Sequence, residues 1–78
     1  MKIRFFGPVL RPPPEVVATV EAGPPTGTID DLLAALGYTP GHRQHVVVLV
    51  EGRRLHPGDP IPEGEEVDLL LMVPVGGG

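Results

Sequence analysis

Proline and glycine constrain this chain more than any other feature, because they divide it into short apolar runs. Eleven of the 78 residues are proline and 11 are glycine, a share at which disorder has to be considered. Most of the prolines, however, cluster between the apolar runs and not within them, at Pro12 to Pro14, at Pro24 and Pro25, and around Pro57, Pro60 and Pro62. With 41% hydrophobic residues, this pattern predicts one small folded domain with a single modest core.

Charge and cysteine content exclude several classes of function. The net charge is −4, so we expect no nucleic-acid binding, which needs clustered Lys and Arg; we interpret the adjacent Arg53 and Arg54 as a solvated turn. Without cysteine the chain forms no disulfide, no Cys-ligated zinc or iron–sulfur site and no side-chain thioester. The longest apolar runs, at residues 46–50 and 69–73, are too short to cross a bilayer, and the amino end carries no signal-peptide stretch. We therefore expect a cytoplasmic protein with no membrane contact.

Two strands are predicted in the first third of the chain. Residues 2–6 alternate polar and apolar up to Phe6, which predicts a strand with Ile3 and Phe5 facing the core and Phe6 facing the opposite side. Residues 15–22 contain four β-branched side chains and end at a Gly-Pro-Pro break. We predict a second strand here, antiparallel to the first.

One helix is predicted from its apolar spacing. Its apolar residues recur at i, i+3, i+4 and i+7, which forms a single stripe; they are Ile29, Leu32, Leu33 and Leu36. Thr28 is placed to cap the first turn, and Asp30 and Asp31 complement the positive end of the helix dipole. Gly37 stands where a helix commonly ends.

The second half of the chain predicts two further strands. After a polar loop at residues 38–44, residues 46–50 are apolar at every position, as in a strand that is covered on both faces or exposed for docking. Residues 51–54 are predicted to turn the chain back. Leu55 and Ile61 anchor a loop-rich passage before the last strand, at residues 65–73.

The last strand has two apolar faces, and the outer one is the candidate binding surface. Its core face is made by Val67, Leu69, Leu71 and Val73. Leu70 and Met72 point the other way, and Phe6 joins them because we predict the first and last strands to be parallel central neighbours. Exposed apolar patches of this kind mark interaction sites, although isolated surface hydrophobes are ordinary. We predict that Phe6, Leu70 and Met72 bind a partner.

These elements describe one α+β domain at residues 1–73, with one main helix packed on a mixed four- to five-stranded sheet. Residues 74–78 are predicted to form a flexible tail that ends in Gly76, Gly77 and Gly78. Glycine has no Cβ, so the tail can thread a channel too narrow for side chains. From Val73 onward it reaches about 20 Å when extended, which would carry the last carboxylate into another protein's active site. Taken alone, however, a frayed end or a cloning remnant explains terminal glycines equally well.

Residues 28–37, 48–52 and 55–67, together with the terminal glycines, resemble the MoaD/ThiS family, the sulfur-carrier branch of the ubiquitin-like β-grasp proteins. The resemblance covers most of the chain from Thr28 onward, while the first 27 residues match only loosely. Three terminal glycines occur in thiamine-type carriers, whereas the Pro74-Val75 approach is similar to the molybdopterin type. These cues leave the pathway open.

The resemblance implies a β-grasp fold and a function carried by the chain terminus. It implies that a ubiquitin-activating-type enzyme uses ATP to adenylate the Gly78 carboxylate, and that a persulfide protein then supplies sulfur. The product is a thiocarboxylate that donates sulfur in cofactor biosynthesis. Gly76 and Gly77 would thread the tail, and the large subunit of a synthase is a further expected partner. On this interpretation the chain is not an enzyme and binds no cofactor or metal itself.

The remaining polar residues give weaker indications of function. His42, His45 and His56 lack the spacing of a three-ligand zinc site and are interpreted as surface residues. The acidic pairs at residues 30–31 and 63–66 are explained by helix-start charge and a solvated turn, although acidic turns also suit a basic partner groove. Two alternative functions stay open: a protein modifier joined to lysines through Gly78, and a non-catalytic β-grasp binding module. The absence of cysteine excludes a ferredoxin-like role.

Overall fold

The computed structural model describes residues 1–64 and 66–74. Within them the chain is a small α+β domain with a mixed four-stranded sheet and three helices. In chain order the elements are β1 (Lys2–Phe6), α1 (Pro14–Ala22), α2 (Ile29–Ala35), α3 (Pro40–Arg43), β2 (Val47–Val50), β3 (Arg53–Leu55) and β4 (Asp68–Met72). None of the helices in these residues is long and apolar enough to cross a membrane.

The sheet has the strand order β1-β4-β2-β3. β1 runs parallel to β4, while β2 is antiparallel to both β4 and β3. The predicted parallel pairing of the first and last strands is confirmed. Of these two strands only β4 is central, however: β1 lies at the edge of the sheet, because no other described segment pairs with its second side.

The prediction of a strand at residues 15–22 is wrong, because this segment forms the helix α1. Pro14 opens the helix, and proline at the first helical positions already has the φ that a helix requires. Val17 and Val20 lie one turn apart and both contact the core, where Val20 is 6% exposed. A β-branched residue weakens a helix by only about 0.5 kcal/mol, so burial of this face outweighs the strand preference of the individual residues. The domain therefore has two helices of similar length instead of one main helix.

The predicted helix is confirmed as α2, and its first turn carries a capping box. The Thr28 hydroxyl accepts a hydrogen bond from the Asp31 N–H, and the Asp31 carboxylate accepts one from the Thr28 N–H. Gly37 follows the helix with a φ of 98°, in the left-handed region that glycine adopts without strain.

A short third helix lies inside the loop predicted at residues 38–44. Thr39 caps α3 by accepting a hydrogen bond from the His42 N–H. Arg43 fixes α3 to α2, because its Nε donates to Asp30 Oδ1 at 2.9 Å and its guanidinium also donates to the Tyr38 carbonyl at 2.8 Å. The loop prediction did not use the local start signal of Thr39 followed by Pro40. The contact of Arg43 with α2 could not be deduced from the sequence.

β2 and β3 form a hairpin with a two-residue turn. Glu51 and Gly52 both have positive φ, 50° and 79°, as tight hairpins require. The predicted four-residue turn is therefore too long, since Arg53 and Arg54 belong to β3. Both arginines are exposed.

The core lies between the helices and one face of the sheet. Leu69 and Leu71 of β4 are fully buried there, and Val67 and Val73 pack against them, so the predicted core face of the last strand is confirmed. Leu55 and Ile61 are partly buried against the same core, as predicted. The buried residues are Ile3, Val9, Val20, Ile29, Leu32, Leu33, Leu36, Tyr38, Val48, Leu69 and Leu71.

Candidate docking surface

The sheet has a second face, which we call the open face, that points away from this core. Side chains alternate between the two faces of a strand, and paired residues share a face. Because Ile3, Val48 and Leu71 are buried, their neighbours along each strand point outward. The open face is made by Lys2, Arg4, Phe6, Val47, Leu49, Arg54, Asp68, Leu70 and Met72.

One row of the open face is entirely apolar. Phe6 is paired with Met72 across β1 and β4, and Met72 is paired with Val47 across β4 and β2. Phe6 is 62% exposed, while Met72 and Val47 are half-buried. Three apolar side chains thus lie side by side on the face opposite the core.

The next row places apolar residues between two arginines. Leu70 is paired with Arg4 on one side and with Leu49 on the other, and Leu49 is paired with Arg54. The structure therefore brings Phe6, Leu70 and Met72 to one surface, as their spacing predicts. Their role in binding stays a prediction.

A shallow hollow of about 640 Å³ adjoins this row. Leu49, Leu70 and Val67 are among its apolar lining residues, and its rim includes carboxylates at Glu51, Glu63, Glu66 and Asp68. Asp68 forms an ion pair with Arg4 at 2.9 Å, in which both side chains are about half exposed. Exposed pairs of this kind contribute little stability, so the pair mainly lowers the negative charge of the hollow.

The apolar row lies at the end of the sheet from which the chain leaves β4. β1 and β4 run parallel, and Phe6 and Met72 form the last pair of their register. Val73 and Pro74 follow directly. Gly76, Gly77 and Gly78, the residues predicted to carry the chemistry, lie outside the described part of the chain.

Val47 and Leu49 also belong to the open face, although the sequence alone did not show which side of their strand is covered. The uniformly apolar run at residues 46–50 indicated either a strand covered on both faces or a docking strand. Val48 is fully buried, whereas Val47 and Leu49 are half-buried, so only one face of β2 is covered. The register of β2 against β4 decides which residues join the open face, and that register cannot be deduced from either strand alone.

The histidines are exposed on the surface, and Asp30 and Asp31 take part in structural contacts of the helices. His42, His45 and His56 are exposed, and no group of three metal-binding side chains occurs in residues 1–64 and 66–74. Asp31 belongs to the α2 capping box. Its pKa is lowered from the ordinary value of 3.8 because the Thr28 backbone N–H and hydroxyl donate hydrogen bonds to it. Asp30 pairs with Arg43.

Tyr38 is a buried polar residue that sequence analysis did not single out. It is 4% exposed, and its hydroxyl donates a hydrogen bond to the Leu10 carbonyl. Burial raises the pKa of Tyr38 above its ordinary value of 10.0. The contact ties the loop after β1 to the end of α2, consistent with the tendency of a buried tyrosine hydroxyl to find an acceptor.

Comparison with known proteins found no relative. The chain matches no protein-family model, and searches of curated proteins and of solved structures returned no match.

Proposed function

We propose that this chain is a ubiquitin-like β-grasp sulfur carrier of the molybdopterin or thiamine type. The observation that carries the proposal is the position of the apolar row: Phe6, Met72 and Val47 lie side by side at the end of β4, with Phe6 exposed and the other two half-buried. In the sequence the glycine run begins a few residues after β4. A partner that binds this end of the open face would lie next to the tail. The mixed sheet with parallel first and last strands is compatible with a β-grasp fold.

The reacting group in this proposal is the Gly78 carboxylate, which requires Gly78 to be the last residue of the mature protein. A carboxylate is a poor electrophile, so the partner enzyme first joins it to the α-phosphorus of ATP and releases pyrophosphate. The outer sulfur of a persulfide then attacks the carbonyl carbon, and AMP leaves. A thiol cleaves the resulting S–S bond, which leaves a thiocarboxylate on Gly78 and a disulfide on the thiol side.

The carrier contributes recognition and access to this sequence of steps. Gly76 and Gly77 lack side chains and so fit a narrow channel toward the adenylation site. The open face supplies the docking surface, and the carboxylates around the hollow complement a basic groove on the partner. A synthase large subunit that accepts the sulfur would use the same surface, so activation and delivery would occur in succession.

Intact-mass spectrometry of the chain isolated from its native cell tests the proposal. Under active cofactor synthesis we expect a fraction of the protein to carry sulfur in place of one terminal oxygen. A variant truncated after Pro74 is the control and should stay unmodified. Peptides with a Gly-Gly remnant on lysine would instead identify a protein modifier. Absence of both modifications would contradict any activated role and favour a binding module.

A further inference from the structure

β1 exposes one backbone edge that no strand of the described chain pairs. The Lys2 N–H donates to the Val67 carbonyl at 2.7 Å, so the backbone groups of Lys2 and every second residue after it point toward β4. In a parallel ladder the intervening residues, Ile3 and Phe5, direct their N–H and C=O groups to the opposite side. An edge of this kind is a template for strand addition by another chain.

Two charged side chains occupy this edge. The Ile3 N–H donates to Glu21 Oε2 at 2.8 Å, and the Phe5 carbonyl accepts a hydrogen bond from the Arg11 guanidinium at 3.4 Å. Glu21 comes from α1 and Arg11 from the loop before it, so two separate segments converge on the positions that an added strand would bond. We propose that Glu21 and Arg11 form an edge guard, which prevents β1 from pairing with β1 of a second copy of this chain.

A second copy is the partner that the guard excludes, because β1 is complementary to itself. Antiparallel pairing about Arg4 would place Ile3 of one copy opposite Phe5 of the other, on the same apolar face, and a two-fold axis would repeat each contact. Arg4 would face Arg4 of the second copy, but each is already paired with Asp68 at 2.9 Å. β1 is five residues long, a typical strand length. The other edge strand, β3, has three residues, two of them exposed arginines. Short length and two exposed arginines already protect β3. β1 is longer, and the charge of its Arg4 is offset by the ion pair with Asp68, so β1 depends more on the guard.

The position of α1 gives the guard a structural basis. Val20 is buried next to Glu21, which holds the end of α1 beside β1. Glu21 is half-buried, and a hydrogen bond to an ionised group is stronger than one between neutral groups. Glu15, on the same helix, is exposed and its side chain has no partner among the described residues, so it serves as a matched control.

Light scattering coupled to size-exclusion chromatography, over a wide range of protein concentration, tests this proposal. We expect wild type and the control Glu15→Ala to stay monomeric and the double variant Arg11→Ala/Glu21→Ala to reach the mass of a dimer as concentration rises. Hydrogen exchange identifies the contact: the Phe5 amide should exchange more slowly in the associated form. A folded double variant that stays monomeric would overturn the proposal, as would a dimeric wild type or association without protection at Phe5.

Single variants keep the test decisive if the double variant does not fold. Glu21→Ala removes the acceptor of the Ile3 N–H and should associate. Glu21→Gln keeps an amide oxygen that accepts the same hydrogen bond, so it should stay monomeric. Equal behaviour of these two variants would contradict a guard that acts through this bond.

Discussion

Asp31 is the residue whose ionisation is tied most directly to the fold. The Thr28 N–H donates to its carboxylate at 2.9 Å and the Thr28 hydroxyl at 3.1 Å, so its pKa is lower in the folded chain than the ordinary 3.8. The folded state therefore binds fewer protons than the unfolded state. The resulting stabilisation is present above pH 3.8 and is lost as the pH falls through the folded pKa.

Because the pKa of Asp31 is lowered in the folded chain, the effect of Asp31→Asn on stability should depend on pH. The variant should be less stable than wild type near neutral pH, and the difference should shrink as the solution is acidified below the ordinary pKa of 3.8. Urea unfolding at a series of pH values measures it, with Glu15→Gln as the control on another helix. Parallel stability curves for Asp31→Asn and wild type would contradict a role for this carboxylate in the cap.

Gly77→Val tests the proposed threading of the tail at a single residue. A branched side chain cannot pass through a channel shaped for glycine, so we expect ATP-dependent adenylation to fall by more than about a hundredfold. The unfolding temperature should not change. Gly58→Val is the control, because Gly58 has no atom within 4 Å of an added Cβ. Normal adenylation of Gly77→Val would exclude threading.

At the scale of elements, what the sequence predicts depends on where each element's contacts come from. α2 carries its own signals: Thr28 and Asp31 bond to each other within one turn, and its apolar stripe is local, so its helix could be predicted. α1 lacks a side-chain cap and is stabilised by distant contacts, as when Glu21 meets Ile3 18 residues away. Its β-branched residues therefore predicted a strand that the tertiary structure does not form.

The difference between local and distant contacts also explains which residues of the open face could be predicted from the sequence. Period-two alternation was enough to place Leu70 and Met72 opposite the core, since it depends on one strand only. The neighbours of Met72 could not be predicted in full, because Val47 reaches it through the register of a different strand. α3 was missed in part for a related reason: Arg43 bonds to Asp30 of α2, although the Thr39 cap of α3 is local.

Arg43 offers a test of how α3 is held. Its side chain is 20% exposed and bonds to Asp30 and to the Tyr38 carbonyl, so Arg43→Leu should lower the free energy of unfolding by about 1–2 kcal/mol. Arg54→Leu is the control, since Arg54 is exposed and forms no ion pair among the described residues. Denaturant unfolding of both variants measures the difference. Equal stabilities would mean that α3 does not depend on the Arg43 contacts.

At the scale of the whole molecule, one face of the sheet packs the core and the other is the proposed docking surface. Its inner face carries fully buried residues such as Leu69 and Val48, whose truncation would remove core packing. The open face carries apolar side chains that are half-buried, such as Met72, or exposed, such as Phe6, so substitution of an exposed member removes little packing. Stability and partner binding should therefore be separable by mutation, which makes the proposed docking surface testable in a folded protein.

Phe6 and Leu10 provide the matched pair for that test. They are almost equally exposed, at 62% and 60%, but only Phe6 belongs to the open face, because Leu10 lies in the loop after β1. If the partner docks on the open face, Phe6→Ser should raise the KM of the carrier in adenylation by about tenfold, the effect of losing one well-buried interface side chain. Leu10→Ser should leave KM near the wild-type value, and both variants should keep the wild-type unfolding temperature. Carrier-dependent pyrophosphate exchange with the activating enzyme measures KM directly. If the two variants had the same KM, the enzyme would recognise general surface hydrophobicity or another surface, and the open face would lose its proposed role.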